Sequence, residues 1–147
     1  MKALLQRVSF AKVEVDGRII AEIGKGLLVF LCALKGDADK DLDYIVKKVS
    51  QLRIFGDDKG KMNLSVTDST GEVLVVSQFT LAASTRKGRP SFDEAEEQGR
   101  AKAAYELFIR RLTDLGMPVR TGVFGAAMAV TLTNDGPVTI LIDSREP

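Results

Sequence analysis

The side chains best placed to do chemistry fall in Ser77-Gln78-Phe79-Thr80-Leu81-Ala82, where polar residues interrupt the end of an apolar β-branched stretch. Ser77 and Thr80 carry hydroxyls, Gln78 an amide that both donates and accepts, and the main-chain amides of Phe79 and Thr80 would suit a developing oxyanion. Strand ends in α/β proteins are where ligands collect. Taken alone, the segment has a simpler reading: Ser77 and Thr80 bond the backbone where a strand stops. A few residues on comes a compact basic loop, Arg86-Lys87-Gly88-Arg89-Pro90. By itself it reads as a solvated loop, but three cations so close to a polar strand end can also hold phosphates. A third segment, Asn134-Asp135-Gly136-Pro137-Val138-Thr139, lies between apolar stretches and reads as an ordinary hairpin turn.

The chain contains no histidine. Serine–histidine–aspartate, cysteine–histidine and histidine-ligated zinc chemistries are therefore excluded, and a hydrolytic site must find another proton acceptor. No ligand cluster suggests a metal, and no motif calls for a cofactor. Gly24-Lys25-Gly26 and Gly122-Val123-Phe124-Gly125 lack the strand–glycine loop–helix setting of a nucleotide site. Met62 and Met128 read as core, with Met128 also able to line a pocket.

The elements that position these segments follow from pattern. Residues 6–15 show an interrupted alternation (Val8, Phe10, Val13, Val15), Asp16-Gly17 is a hairpin signal, and 18–23 returns. The unbroken apolar run 26–34 suits a strand covered on both faces. Asp37 or Asp39 caps a helix whose apolar residues Leu42, Ile45, Val46, Val49 and Leu52 share one face. Residues 53–55 make a short strand, 57–60 a turn and 72–79 a second buried strand. A second helix starts at 90–94, where Ser91 and Glu94 form a capping box, and stops at Gly116 ahead of Pro118. Strands follow at 119–123, 127–133 and 138–142. The pattern predicts one mixed α/β domain over 1–147, with two sheets and two main helices that cover one layer.

Length and composition set the outer bounds. At 147 residues and 45% apolar content the chain builds a real but modest core, so dimerisation is an economical way to bury more. With 21 basic against 20 acidic residues there is no global field to draw in nucleic acid, and any RNA contact is local. A single cysteine, Cys32, gives no disulfide framework and suggests a reducing compartment. The first residues lack the apolar stretch of a secretion signal, and no segment approaches the roughly 18 apolar residues of a membrane span. The expectation is a cytoplasmic protein with no membrane partner.

Together the segments resemble one family, the D-aminoacyl-tRNA (D-tyrosyl-tRNA) deacylases. The matching stretches are Leu5-Gln6-Arg7-Val8, Arg53-Ile54-Phe55, Gly60-Lys61-Met62-Asn63, Ser77 to Ala82, Arg89-Pro90-Ser91-Phe92 and Asn134 to Thr139, in order across nearly the whole chain. The resemblance implies a three-layer β/β/α fold, a homodimer with sites at the subunit interface, and hydrolysis of the ester at the aminoacylated 3′ end of tRNA. It implies that Gly136-Pro137 is a cis peptide whose carbonyls enter the partner's site and exclude L-aminoacyl groups, with Arg7 orienting that loop. Ser77, Gln78, Phe79, Leu81 and Ala82 would line the aminoacyl pocket together with Met128, and Thr80 would be the candidate nucleophile or a positioning group. Arg86, Lys87 and Arg89 would meet RNA phosphates. Glycine, with hydrogen at both α-positions, would pass the same filter. The chain departs from many relatives at Phe10 and Cys32.

Overall fold

A computed structural model describes residues 1–147. The chain runs through eight strands and two helices: β1 (Lys2–Val15), β2 (Arg18–Ile23), β3 (Gly26–Cys32), α1 (Asp39–Gln51), β4 (Phe55–Gly56), β5 (Met62–Leu64), β6 (Glu72–Ser77), a 3₁₀ turn (Phe79–Ala82), α2 (Gln98–Asp114), β7 (Val119–Thr121) and β8 (Ala129–Asp143). Asp16 and Gly17 both take positive φ, 50° and 74°, the geometry that lets a two-residue turn match the twist of β1 and β2.

The main sheet has the order β2-β1-β3-β6-β7, with β8 also paired to β1. β1 pairs antiparallel with β3, while β6 and β7 add in parallel. Each parallel step needs a crossover, α1 and then α2. Both steps move the same way across the sheet, so crossovers of one hand put both helices on one face. That face buries Ala3, Leu5, Leu27, Val29, Val73 and Val75 against Leu42, Ile45 and Val49 of α1 and Tyr105, Phe108 and Leu112 of α2. Arg111 reaches across to form an ion pair with Asp43 of α1.

Of the two sheets in the structure, β4 and β5 form only a small antiparallel pair, and the two large layers expected from the sequence are both made by one curled six-stranded sheet. β1 is the hinge: residues Lys2–Val8 pair with β3, and Ala11–Val15 pair with β2. The curl brings β2 against β6 and β7, which are not its neighbours in strand order. A second apolar layer closes between them, with Val8, Ala11, Val13, Ile23, Leu28, Leu74 and Val76 buried and Val130 and Leu132 packed alongside. The result is the expected β/β/α layering. It also explains why 26–32 is apolar on both faces: Leu27, Val29 and Leu31 face the helices and Leu28 faces the second layer.

Three local expectations are corrected. Residues 129–143 are one strand, because both halves pair with the same long β1, so Asn134 to Pro137 is not a hairpin turn. Gln6 faces Thr139 and Val8 faces Asn134; only Arg7 intervenes on β1, whereas Asp135, Gly136, Pro137 and Val138 intervene on β8 and bulge outward. Next, α2 begins at Gln98, and Ser91 is not its cap. Ser91 instead pairs with Ser84 through two main-chain bonds of 2.8 and 3.1 Å, and Glu97 caps the helix by accepting from the Gly99 and Arg100 amides. Finally, α1 is capped by neither expected aspartate. Its N-cap is Ala38, whose amide donates 2.9 Å to Asp41 of the first turn, while Asp37 receives the Met1 ammonium at 2.8 Å and the Leu34 amide at 2.7 Å.

Candidate functional site

β3 and β6 end side by side, Leu31 opposite Ser77, and the chain leaves β6 through Gln78, whose amide still donates to Leu31 at 2.8 Å. The 3₁₀ turn follows at once. Its first bond runs from the Leu81 amide to the Gln78 carbonyl at 3.2 Å. The amides of Phe79 and Thr80 therefore occupy the opening of the turn, where N–H groups have no partner within it. These are the donors that the sequence nominates for an oxyanion.

Beside this strand end lies a cleft of about 530 Å³. Ser77, Gln78, Phe79 and Met128 line it, together with Val76, Val130, Ala95, Glu96, Gln98, Ala101, Tyr105, Phe124 and Gly125. Thr80, Leu81 and Ala82 do not line it. The turn rotates Thr80 to the exposed surface and carries Ala82 into a small cluster with Cys32 and Leu34, on which Leu81 packs. The Thr80 hydroxyl accepts a 2.5 Å bond from the Gln78 side-chain amide, a group that cannot take its proton.

Tyr105 forms part of the cleft's floor. Its hydroxyl donates to the Val75 carbonyl at 3.0 Å, and burial pushes the phenol up to about 12, so it remains a neutral donor. Phe124 packs on it at 5.7 Å between ring centres. Glu96 is the one acidic side chain in the lining, and its carboxylate accepts from the Glu97 amide at 2.8 Å. Cys32 lies behind the turn with its thiol 3.6 Å from the Phe79 carbonyl; burial pushes it up to about 11, which makes it an inert packing group.

The basic loop is held next to the cleft. The Ser84–Ser91 pairing closes it, and Phe92, just beyond, meets Phe79 edge to face at 5.0 Å. Arg86, Lys87 and Arg89 are all exposed on it.

The Gly136–Pro137 peptide is cis, and both residues are exposed. Arg7 holds the bulge that carries them. Its Nε donates to the Asp135 carbonyl at 3.1 Å and lies 3.3 Å from the Asp135 carboxylate, while a terminal nitrogen donates to the Ile54 carbonyl at 2.6 Å. Asn134 closes the other side by accepting from the Val138 amide at 3.1 Å and donating to the Thr139 hydroxyl at 2.8 Å. Gly136 has φ +125°, and a Cβ there would come within 2.9 Å of both Arg7 and Val138, so only glycine fits. Arg7 is opposite Leu27 at the start of β3, whereas the cleft opens beside Leu31 near its end. At ~3.3 Å per residue the bulge is separated from its own chain's cleft by roughly 13 Å of strand.

Sequence reasoning missed Tyr105, Phe124, Glu96 and Gln98. The aromatics carry the apolar pattern of core residues, and Glu96 and Gln98 fall where the pattern places the first turns of a helix. No helix of the chain is long and apolar enough to cross a membrane.

Comparison with known proteins matches this architecture throughout. The family model described as D-Tyr-tRNA(Tyr) deacylase aligns with residues 4–143. The D-aminoacyl-tRNA deacylase of Persephonella marina is 57% identical over 99% of both chains, and that of Aquifex aeolicus 54% identical over 99% of both. Among solved structures, a c-Myc DNA unwinding element binding protein superposes with a TM-score of 0.94 at 40% identity, covering 97% of this chain and 98% of that one. A probable eukaryotic D-amino acid tRNA deacylase superposes at 0.81 with 17% identity over 97% and 98%, a likeness of fold alone. Full-length identity above one half to named deacylases, on a shared fold, places the chain in the D-Tyr-tRNA(Tyr) deacylase family.

Proposed function

We propose that the chain hydrolyses the ester of D-aminoacyl-tRNA, and of glycyl-tRNA mischarged on tRNA(Ala), as a cytoplasmic homodimer that rejects L-aminoacyl groups. One observation carries this reading: the Gly136–Pro137 bulge is rigidly anchored by Arg7, exposed, and at the far end of β3 from its own cleft. Its carbonyls reach a cleft only if that cleft belongs to a second copy. There they form a wall at the α-carbon that leaves room for hydrogen and for nothing larger. Every L-residue meets this penalty whatever its side chain, and glycine escapes it.

The chemistry uses what the cleft offers. Water adds to the ester carbonyl at the mouth of the cleft, the oxyanion rests on the Phe79 and Thr80 amides at the opening of the adjoining 3₁₀ turn, and the bond to the 3′ oxygen breaks. The 2′-hydroxyl of the terminal ribose relays the water's proton to the departing 3′ oxygen, leaving free amino acid and tRNA. The chain has no histidine, and the Thr80 hydroxyl is engaged by an amide that cannot act as a base, which supports a positioning role for Thr80. Ser77, Gln78, Phe79 and Met128 shape the wall of the cleft, and Arg86, Lys87 and Arg89 hold phosphates near the 3′ end.

The test is ester cleavage of D-tyrosyl-tRNA. Replacing the terminal 2′-hydroxyl by hydrogen should slow it by about a hundredfold or more, while Thr80→Ala should stay within about tenfold of wild type. If Thr80→Ala abolishes turnover with folding intact, the threonine is the nucleophile. If the wild-type chain binds charged tRNA without cleaving it, it is a binding module and the enzymatic reading fails.

A further inference from the structure

Gly122 stands just beyond β7, fixed by its amide, which donates to the Val75 carbonyl at 3.0 Å. A Cβ built on it would fall 2.7 Å from the Met128 sulfur, well inside van der Waals contact, and 3.7 Å from Val13 and Val76. The Met128 thioether therefore occupies the space that a side chain at 122 would take. Met128 is also part of the cleft wall. We infer that Gly122 is a positioning residue for the proposed reaction: by having no side chain, it lets Met128 retract and holds the cleft open for the charged end of the tRNA.

The direction in which Met128 would move is set by its neighbours. Behind it Val13 and Val76 are 0% and 1% exposed, and a core packed at that density does not give way. On its outer side is a shallow depression bordered by Glu14, Asp16, Gly17, Ala127 and Ala129, where only two methyl groups would face the thioether beside two carboxylates and open solvent. The remaining side is the cleft, walled by Val76, Phe124 and Val130. Methionine is unbranched and flexible, so a methyl group at 122 shifts it without breaking the fold. The backbone at 122 is not in the left-handed region, and alanine is accepted there.

The inference rests on the proposed hydrolysis and is read by how KM and kcat separate. With D-tyrosyl-tRNA, Gly122→Ala should raise KM about tenfold with kcat within about twofold, because the amides of Phe79 and Thr80 are untouched. Gly122→Ala combined with Met128→Ala should return KM to that of Met128→Ala alone, since the displaced side chain is gone. A merely structural role would lower the melting temperature and the active fraction, appearing in kcat, and the second substitution would not rescue it. Unchanged KM in Gly122→Ala, or no recovery in the double variant, overturns the inference while leaving the proposed function standing. Absence of turnover by the wild-type chain instead sinks the proposed function itself.

Discussion

Replacing Arg7 by lysine probes the link between the β8 bulge and the rest of the fold. The guanidinium spans two carbonyls, Asp135 in the β8 bulge at 3.1 Å and Ile54 in the loop before β4 at 2.6 Å, and its side chain is 14% exposed. An ammonium offers its donors from one atom and lacks the two-pronged fork by which separate nitrogens reach the two carbonyls, so it should hold one of them poorly. Ile54 is 6% exposed, so if its carbonyl loses the partner, water does not readily replace it. One charge-assisted bond is worth about 1.5–3 kcal/mol; the contact with the Asp135 carboxylate adds little, because that side chain is 56% exposed. At ~2–4 °C per kcal/mol for a chain of this size, Arg7→Lys should lower the melting temperature by about 3–12 °C. A loosened bulge also blurs the proposed wall, so the preference for D- over L-tyrosyl-tRNA should fall by about tenfold or more. Thermal unfolding and paired deacylation assays read both effects. A variant as stable and as selective as wild type would refute the claim that this fork orients the bulge.

Three further outcomes are expected. Changing Arg86, Lys87 and Arg89 together to alanine should lower the salt slope of RNA binding by about 2, at ~0.7 per single-strand phosphate contact; an unaltered slope removes the loop from the RNA contact. Asp41 is held below its usual value of 3.8 chiefly by the Ala38 amide, with Ser144 adding to it. A depressed carboxyl contributes stability that is present above its unfolded value and lost as pH falls through the folded one, so unfolding scans below about pH 4 should show a loss that Asp41→Asn flattens. Cys32, 2% exposed with its thiol at about 11, should resist alkylation near pH 8 in the folded protein and react only on unfolding; fast labelling of native protein would contradict its burial.

What could be read from the residues was whatever local pattern determines. The run over β3 announced a strand covered on both faces, the face of α1 emerged from its spacing, and Asp16-Gly17 marked its hairpin. What could not be read depended on distant partners. Asn134-Asp135-Gly136-Pro137 carries every local mark of a turn, yet β1 is long enough to pair with both flanks, and the segment bulges instead. Ser91 and Glu94 match a capping box, but Ser91 is committed to an extended pairing with Ser84, which delays α2 to Gln98. In the cleft, Ser77 and Gln78 stood out as polar residues at the end of a buried strand, whereas Phe79 and Met128 were assigned to the lining through the family resemblance. Tyr105 and Phe124 were not, because an aromatic lining a cleft floor has the same sequence signature as one in a core. The 3₁₀ turn that moves Thr80 away from the cleft has no signal of its own in Phe79-Thr80-Leu81-Ala82.

Discrimination by handedness is the centre of this account, and one comparison addresses it directly: initial rates of ester cleavage by the purified chain on D-tyrosyl-, L-tyrosyl- and glycyl-tRNA, prepared and assayed side by side. The account predicts rapid loss of the D-tyrosyl and glycyl groups while the L-tyrosyl ester decays no faster than in buffer. Cleavage of the L-ester at a rate comparable to the D-ester would contradict it.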